Sequence, residues 1–252
     1  RFFKAVERFQ YRQADVIGVQ TPANAPLVAR DAPAGTRIQV LHNWLAAPVE
    51  AASVASPSLA HLQGRINFVY TGNMGVAQDM DAFVTLARRM QDRDDVGFVF
   101  VGRGSETARL KDEARGMPNL LVLDEIEPAA LPALLACCHV GIVALHPAHG
   151  THNIPGKLLT YLHGCLPVLA RVNPHNDLVA LLDQERVGLA VAGDNPALLQ
   201  ASAVRLADEP ALRAAMGVAG RALALHMFSP QSAARDVAAA LAAAPSSNVT
   251  VR

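Results

Sequence analysis

Six short runs of uninterrupted apolar residues punctuate the chain: INFVY at 66–70, VGFVF at 96–100, NLLVL at 119–123, VGIVAL at 140–145, PVLA at 167–170 and GLAVA at 188–192. A strand wetted on one face alternates apolar with polar side chains, whereas a strand covered on both faces does not. Continuous runs of this length therefore predict a parallel sheet with helices on each side. The pattern is α/β, a doubly wound parallel sheet, and it occupies residues 65–228.

The flanks read differently. Phe2, Val6 and Phe9 fall on one helical stripe, followed by a short apolar strand from Asp15 to Val19 and a turn at Thr21-Pro22. Residues 1–36 thus look like the last helix-strand unit of a preceding domain. In 37–64 a short strand gives way to alanine, serine and proline without periodicity, which predicts a linker. Residues 196–226 are helical by composition, broken at Asp208-Glu209-Pro210, and a last helix is expected after Ser229-Pro230. The tail PSSNVTVR is expected to be disordered. The chain opens at Arg1, without a methionine and inside a helical pattern, so it is expected to be a fragment.

Composition narrows the chemistry. With 22 basic and 22 acidic residues and few aromatics, no nucleic-acid partner is expected. No run of 18 uninterrupted apolar residues occurs that would suggest a membrane span. Cys137 and Cys138 are adjacent, a poor arrangement for an ordinary disulfide, and with Cys165 they fit a reducing cytoplasm.

In an open parallel sheet, ligands bind beyond the carboxyl ends of the strands, so the loops after the apolar runs are the places to search. In VYTGNMGVAQDMDAF, Gly72 and Gly75 lie between a strand and a helix, where amides can approach an anion. A tight turn explains these glycines equally well. In VFVGRGSETARL, Arg103 stands between Gly102 and Gly104, able to fork onto phosphate oxygens or simply to be solvated. In HNIPGKLLTYLHGCLPVLA, Pro155 suits a first helical turn, with Asn153 as its cap. Lys157 then falls where a cation is unfavourable against the helix dipole unless an anion is present, and Thr160 follows one turn on.

The order of the loops YTGNMG, VGRGS, LDEIEPAALPALLACCHVGIVAL and NIPGKLLTYLHGCLPVLA resembles the carboxyl-terminal donor-binding domain of retaining glycosyltransferases of family four (group 1). These have two Rossmann-like domains in the GT-B arrangement. The likeness runs from Arg65 to Phe228 and is greatest to bacterial enzymes of lipopolysaccharide O-antigen and capsule assembly, including the group that transfers N-acetylfucosamine-type sugars. It implies a Rossmann-like GT-B carboxyl-terminal domain with a remnant of the amino-terminal one, and 229–252 as a crossover helix and tail.

The resemblance further implies transfer, with retention, from a nucleotide-diphosphate sugar, uridine diphosphate being expected, to a lipid-linked or saccharide acceptor. Gly72, Asn73, Met74 and Gly75 would face the diphosphate together with Arg103 and Gly104. Leu123, Asp124, Glu125 and Ile126 would border the base, and Asn153, Ile154, Pro155 and Thr160 would complete the donor site. Many members carry two glutamates eight positions apart; here those positions are His152 and Thr160, and neither is acidic. Arg103 and Lys157 are then the expected catalytic cations, with His152 against the sugar. Because acceptor groups would belong to the missing domain, the fragment alone is expected to bind donor without transferring sugar.

No metal or other cofactor is expected. Asp79 and Asp81 have a tempting spacing but read as capping residues at a helix start. His146, His149 and His152 read as polar surface rather than zinc ligands, and Cys137 and Cys138 as small apolar fillers. Phe2, Phe3, Lys4, Phe9 and Arg12 suit either packing against the missing domain or a membrane surface. A cytoplasmic location, at the inner face of the bacterial membrane, follows from the resemblance. The alternatives are a nucleotide-sugar 2-epimerase and a non-catalytic nucleotide-sugar-binding subunit.

Overall fold

The computed structural model describes residues 2–47, 59–148, 150 and 153–242. Helix α1 (Phe2–Gln13), strand β1 (Val16–Val19), helix α2 (Ala25–Ala29) and strand β2 (Arg37–Val40) form a small first unit. In it β1 and β2 pair in parallel, with Ile17 opposite Ile38.

The main body follows as β3 (Ile66–Thr71), α3 (Asp81–Arg89), β4 (Val96–Val101), α4 (Thr107–Ala114), β5 (Leu120–Leu123) and α5 (Leu131–Ala136). It continues as β6 (Val140–Ala144), α6 (Gly156–His163), β7 (Val168–Val172), α7 (Asp177–Gln184) and β8 (Gly188–Ala192). Helices α8 (Pro196–Asp208), α9 (Pro210–His226) and α10 (Pro230–Ala242) complete the described chain. Each of the six apolar runs is a strand. The sheet order is β5-β4-β3-β6-β7-β8, and every pairing is parallel.

Every residue of β4, β6 and β7 is buried, which is the physical reason these strands do not alternate. Odd and even positions feed different layers. Phe68, Tyr70, Phe98 and Phe100 pack beneath α3 and α8, with the Phe68 and Phe98 rings stacked at 5.2 Å. Val69, Val99 and Val143 face the other layer, where α6 contributes Leu158, Tyr161 and Leu162. The Tyr161 ring of α6 packs directly on β6 where residue 141 is glycine: a Cβ there would sit 2.4 Å from it.

Several polar contacts join the first unit to the main body. The Ala23 amide donates to Asp177 Oδ2 at 2.8 Å, and Asn24 Nδ2 donates to Asn153 Oδ1 at 2.8 Å. The Leu45 amide donates to the Phe228 carbonyl at 2.9 Å. Arg37, on β2, donates to the Ala240 carbonyl of α10 at 3.0 Å, so the last helix reaches the first unit. The apolar side of α1 is not covered within the described residues: Phe2, Phe3 and Phe9 are all exposed. None of the described helices is long and apolar enough to cross a membrane.

Candidate functional site

The chain runs from β3 outward through β4 and β5, then returns to β6 on the other side of β3. The connections therefore diverge between β3 and β6 and leave a crevice at the carboxyl ends of these strands. A cleft of about 360 Å³ opens there, lined by Thr71 and Gly72 after β3, Val101 and Gly102 after β4, Glu125 and Ile126 after β5, and Lys157 on α6. Larger hollows occur at the outer edge of β8 and at the amino ends of the strands. Neither lies at the point of divergence.

Lys157 is the cation of this cleft. Its Nζ lies 3.5 Å from the centre of the Tyr70 ring, and a Cβ on Gly72 would lie 3.8 Å from it. Lys157 is half-buried, and the described residues place no carboxylate within ion-pair distance of its amine. Loss of hydration without a counter-charge draws its pKa down to about 7. A half-buried amine aimed into a cleft and lacking a counter-charge is suited to receive an anion.

The two glycine loops interlock. The Met74 amide donates to the Arg103 carbonyl at 2.7 Å, and the Glu106 amide to the Met74 carbonyl at 3.0 Å. Gly102 has a φ of +153°, and a Cβ there would lie 1.9 Å from the Gly72 carbonyl oxygen. At Gly104, φ is +154° and the Cβ would lie 2.3 Å from the Met74 oxygen. These glycines are therefore required by loop-on-loop contact rather than by a need for open space around Arg103. The expectation that the first loop presents free amides also needs correction: Gly72 donates to Val101, Met74 to Arg103, and Gly75 to the Gln78 side chain. Met74 is fully buried in the core, so of this loop Gly72 lines the cleft and Asn73 is exposed beside it.

Across the cleft, Arg103 is 81% exposed and its Nη1 lies 3.3 Å from Glu125 Oε2. Since Glu125 lines the cleft with Lys157, the two cations expected from the sequence border the same opening. Of the expected base-side residues, Glu125 and Ile126 line the cleft and Leu123 accepts the Gly102 amide at 3.2 Å. Asp124 turns away to Lys111 on α4, at 2.6 Å.

At the start of α6 the cap position is Pro155, in extended conformation and without a side-chain capping bond. Asn153 does not cap, because its amide oxygen is engaged by Asn24. Ile154 is buried in the core and cannot reach a ligand with its side chain. Thr160 is half-buried three residues beyond Lys157, on the same side of the helix. His152 and His149 lie outside the described residues. His146 accepts the Ala148 amide at 3.0 Å through Nδ1.

Two aspartates also differ from the sequence-based reading. Asp79 adopts a left-handed φ of 47° and pairs with Arg171, a nearly buried guanidinium that also reaches Asp194 at 3.2 Å. Asp81 sits in the first turn of α3 and pairs with Arg109 at 2.7 Å. Met80, not either aspartate, occupies the cap position. Cys138 is buried and its thiol pushed up to about 12 by desolvation, the opposite of what a nucleophile needs.

Three positions that support the cleft or its loops were not singled out by the pattern. Tyr70 supports Lys157 with its ring and bonds the Asn73 carbonyl with its hydroxyl. Tyr161, wholly buried on α6, accepts the Thr71 amide at 2.9 Å and shares a hydrogen bond with Thr71 Oγ1 at 3.2 Å. Arg171 ties β7 to the turn after the first glycine loop. The only advance signal was a hydroxyl or a charge inside an otherwise apolar run.

No protein-family model matches the sequence, and no curated protein matches it. Its fold is matched by solved structures. Staphylococcus aureus TarM, as a mutant solved with fondaparinux, α-GlcNAc-glycerol and UDP, aligns with a TM-score of 0.73 and 13% identity over 91% of this chain and 44% of TarM. HepE of Anabaena, solved with UDP-glucose, aligns at 0.70 and 11% identity over 93% of this chain and 68% of HepE. WaaG, a glycosyltransferase involved in lipopolysaccharide biosynthesis, aligns at 0.64 and 14% identity over 88% of this chain and 61% of WaaG. The chain spans less than half the length of TarM and under two thirds of WaaG. At these identities the likeness is one of fold, the Rossmann-like fold of GT-B glycosyltransferases.

Proposed function

We propose that this chain is the donor-binding part of a glycosyltransferase that takes its sugar from a nucleotide-diphosphate sugar, with a uridine nucleotide as carrier. The observation that carries the reading is the half-buried Lys157 amine, without a carboxylate partner among the described residues, beside Gly72 at the crevice where an open parallel sheet takes its ligands. The presence of UDP or UDP-glucose in the TarM and HepE structures supports the choice of base.

Cleaving the bond between a sugar and its diphosphate places negative charge on the departing phosphate. A cation already aimed at that point lowers the barrier, because it need not reorganise as the charge develops. Lys157 is placed to be that cation, and Arg103 can swing from Glu125 to join it, since both side chains are exposed at the rim. Thr160 offers a hydroxyl to a ribose, and the resemblance assigns His152 a contact with the sugar. Retention of configuration, and an acceptor that is lipid-linked or a saccharide of a bacterial surface polysaccharide, belong to the same proposal; the role of WaaG supports the acceptor class.

A thermal-shift panel of UDP, GDP, ADP and inorganic pyrophosphate tests the reading. A ligand at a hundred times its Kd stabilises by about 2.7 kcal/mol, and UDP is expected to do so more than the other nucleotides. Absence of stabilisation by every member of the panel overturns it. Release of UDP only when acceptor is added to the full-length enzyme distinguishes transfer from 2-epimerisation and from a non-catalytic subunit.

A further inference from the structure

The cleft holds its cation on an aromatic ring where an ion pair would be the usual arrangement. Tyr70 is wholly buried near the end of β3, and its ring plane is fixed by an edge-to-face contact with Phe100 at 6.3 Å and 80°. Lys157 Nζ rests over the free face of this ring, while the Tyr70 hydroxyl bonds the Asn73 carbonyl. We propose that Tyr70 is a positioning residue of the cleft, seating the Lys157 ammonium with its ring and fixing the first glycine loop with its hydroxyl, so that one side chain sets both around a common anion. This rests on reading the cleft as a diphosphate site.

The physical advantage of a ring lies in what it leaves undone. A carboxylate beneath the amine would hold it equally well but would cancel its charge and repel an incoming phosphate. A π face attracts the ammonium without neutralising it. Among the described residues, the other charged or titratable groups around the cleft are turned elsewhere. Glu125 and Arg103 pair with each other across the opening, and the Tyr161 hydroxyl of α6 is directed at Thr71. Among the described residues, Tyr70 is thus the contact that aims Lys157.

The arrangement has a consequence for protons. With its pKa drawn down toward 7 in the empty cleft by lost hydration, Lys157 is largely neutral at pH 9. A bound diphosphate restores the charge, so binding takes up close to one proton at that pH. Above pH 7.5 the terminal phosphate of UDP is itself fully ionised, so the effect is attributable to the protein. Wild-type affinity for UDP is expected to weaken with rising pH, approaching tenfold per pH unit near pH 9.

Tyr70→Phe and Tyr70→pentafluorophenylalanine separate positioning from packing. The two rings have the same shape, but fluorination removes the negative π face on which a cation rests. Calorimetric titration of the full chain with UDP from pH 7.5 to 9, in Tris and in Bicine, gives Kd and proton uptake, and a thermal melt checks the fold of each variant. Tyr70→Phe is expected to retain proton uptake, with Kd raised a few-fold by loss of the bond to Asn73. The fluorinated variant is expected to melt like Tyr70→Phe and to bind UDP roughly tenfold more weakly, the scale of a cation–π contact in a desolvated site. Equal Kd values for the two variants across the pH range overturn the positioning role and leave the diphosphate reading intact. Failure of the wild type to bind UDP removes the diphosphate reading itself, and the proposal with it.

Discussion

Lys157→Met should make the empty protein more stable while removing its affinity for diphosphate. Methionine keeps an unbranched stem of similar reach but carries no charge to desolvate. The structure sets the scale: a fall from the ordinary 10.5 to about 7, at about 1.4 kcal/mol per pH unit, bounds the cost of the buried charge at about 5 kcal/mol. Solvent screening of a half-buried side chain reduces this, and the contact with Tyr70 offsets about 0.5–2 kcal/mol more. A net gain of about 1–3 kcal/mol remains, and each kcal/mol is worth about 2–4 °C in Tm for a chain of this size.

The pH dependence identifies the cause. Because the folded-state pKa lies below the unfolded value, the folded wild type binds fewer protons between about pH 7 and pH 10.5, and its stability rises with pH across that window. Below pH 7 the penalty is full. The advantage of Lys157→Met should therefore be greatest at pH 6 and shrink steadily toward pH 10, as followed by calorimetric melts at pH 6, 8 and 9.5. A variant less stable than the wild type at pH 6, or a difference that does not change with pH, would refute the reasoning. In the same samples, UDP should raise the Tm of the wild type alone.

Other substitutions probe the scaffold beneath the cleft. Gly102→Ala should lower the urea midpoint by an amount worth about 3 kcal/mol or more, because its Cβ would meet the Gly72 oxygen at 1.9 Å in a backbone conformation that favours glycine. Tyr161→Phe leaves the buried Thr71 amide without its acceptor and should cost about 1–3 kcal/mol in the same assay. Arg103→Ala removes only an exposed ion pair, so its melt should stay within about 1 kcal/mol of wild type while calorimetry shows several-fold weaker UDP binding.

The sheet was legible because burial on both faces leaves a mark in one dimension: β3 to β8 coincide with six apolar runs, and the break at Pro210 separates α8 from α9 as expected. The position of the cleft followed from topology, and Lys157, Gly72, Glu125 and Ile126 line it together. Orientation and competition between hydrogen bonds were not legible. Nothing in GNMG reveals that the amides of Met74 and Gly75 are engaged by Arg103 and Gln78, since their partners depend on how two loops meet. Asn153 looked like a cap because asparagine caps often, but Asn24, 129 positions away, claims its oxygen. Tyr70 and Tyr161 sit inside apolar runs, where an aromatic residue reads as core. Tyr161 is core by its ring and meets Thr71 by its hydroxyl, whereas Tyr70 packs in the core and also carries Lys157 on its ring and bonds Asn73 with its hydroxyl.

The location of the diphosphate in a crystal of this chain grown with UDP tests the central claim most directly. The account predicts phosphate oxygens within about 3 Å of Lys157 Nζ, at the Gly72 end of β3. A diphosphate seated at the β8 edge or at the amino ends of the strands, with Lys157 resting untouched over Tyr70, would contradict it.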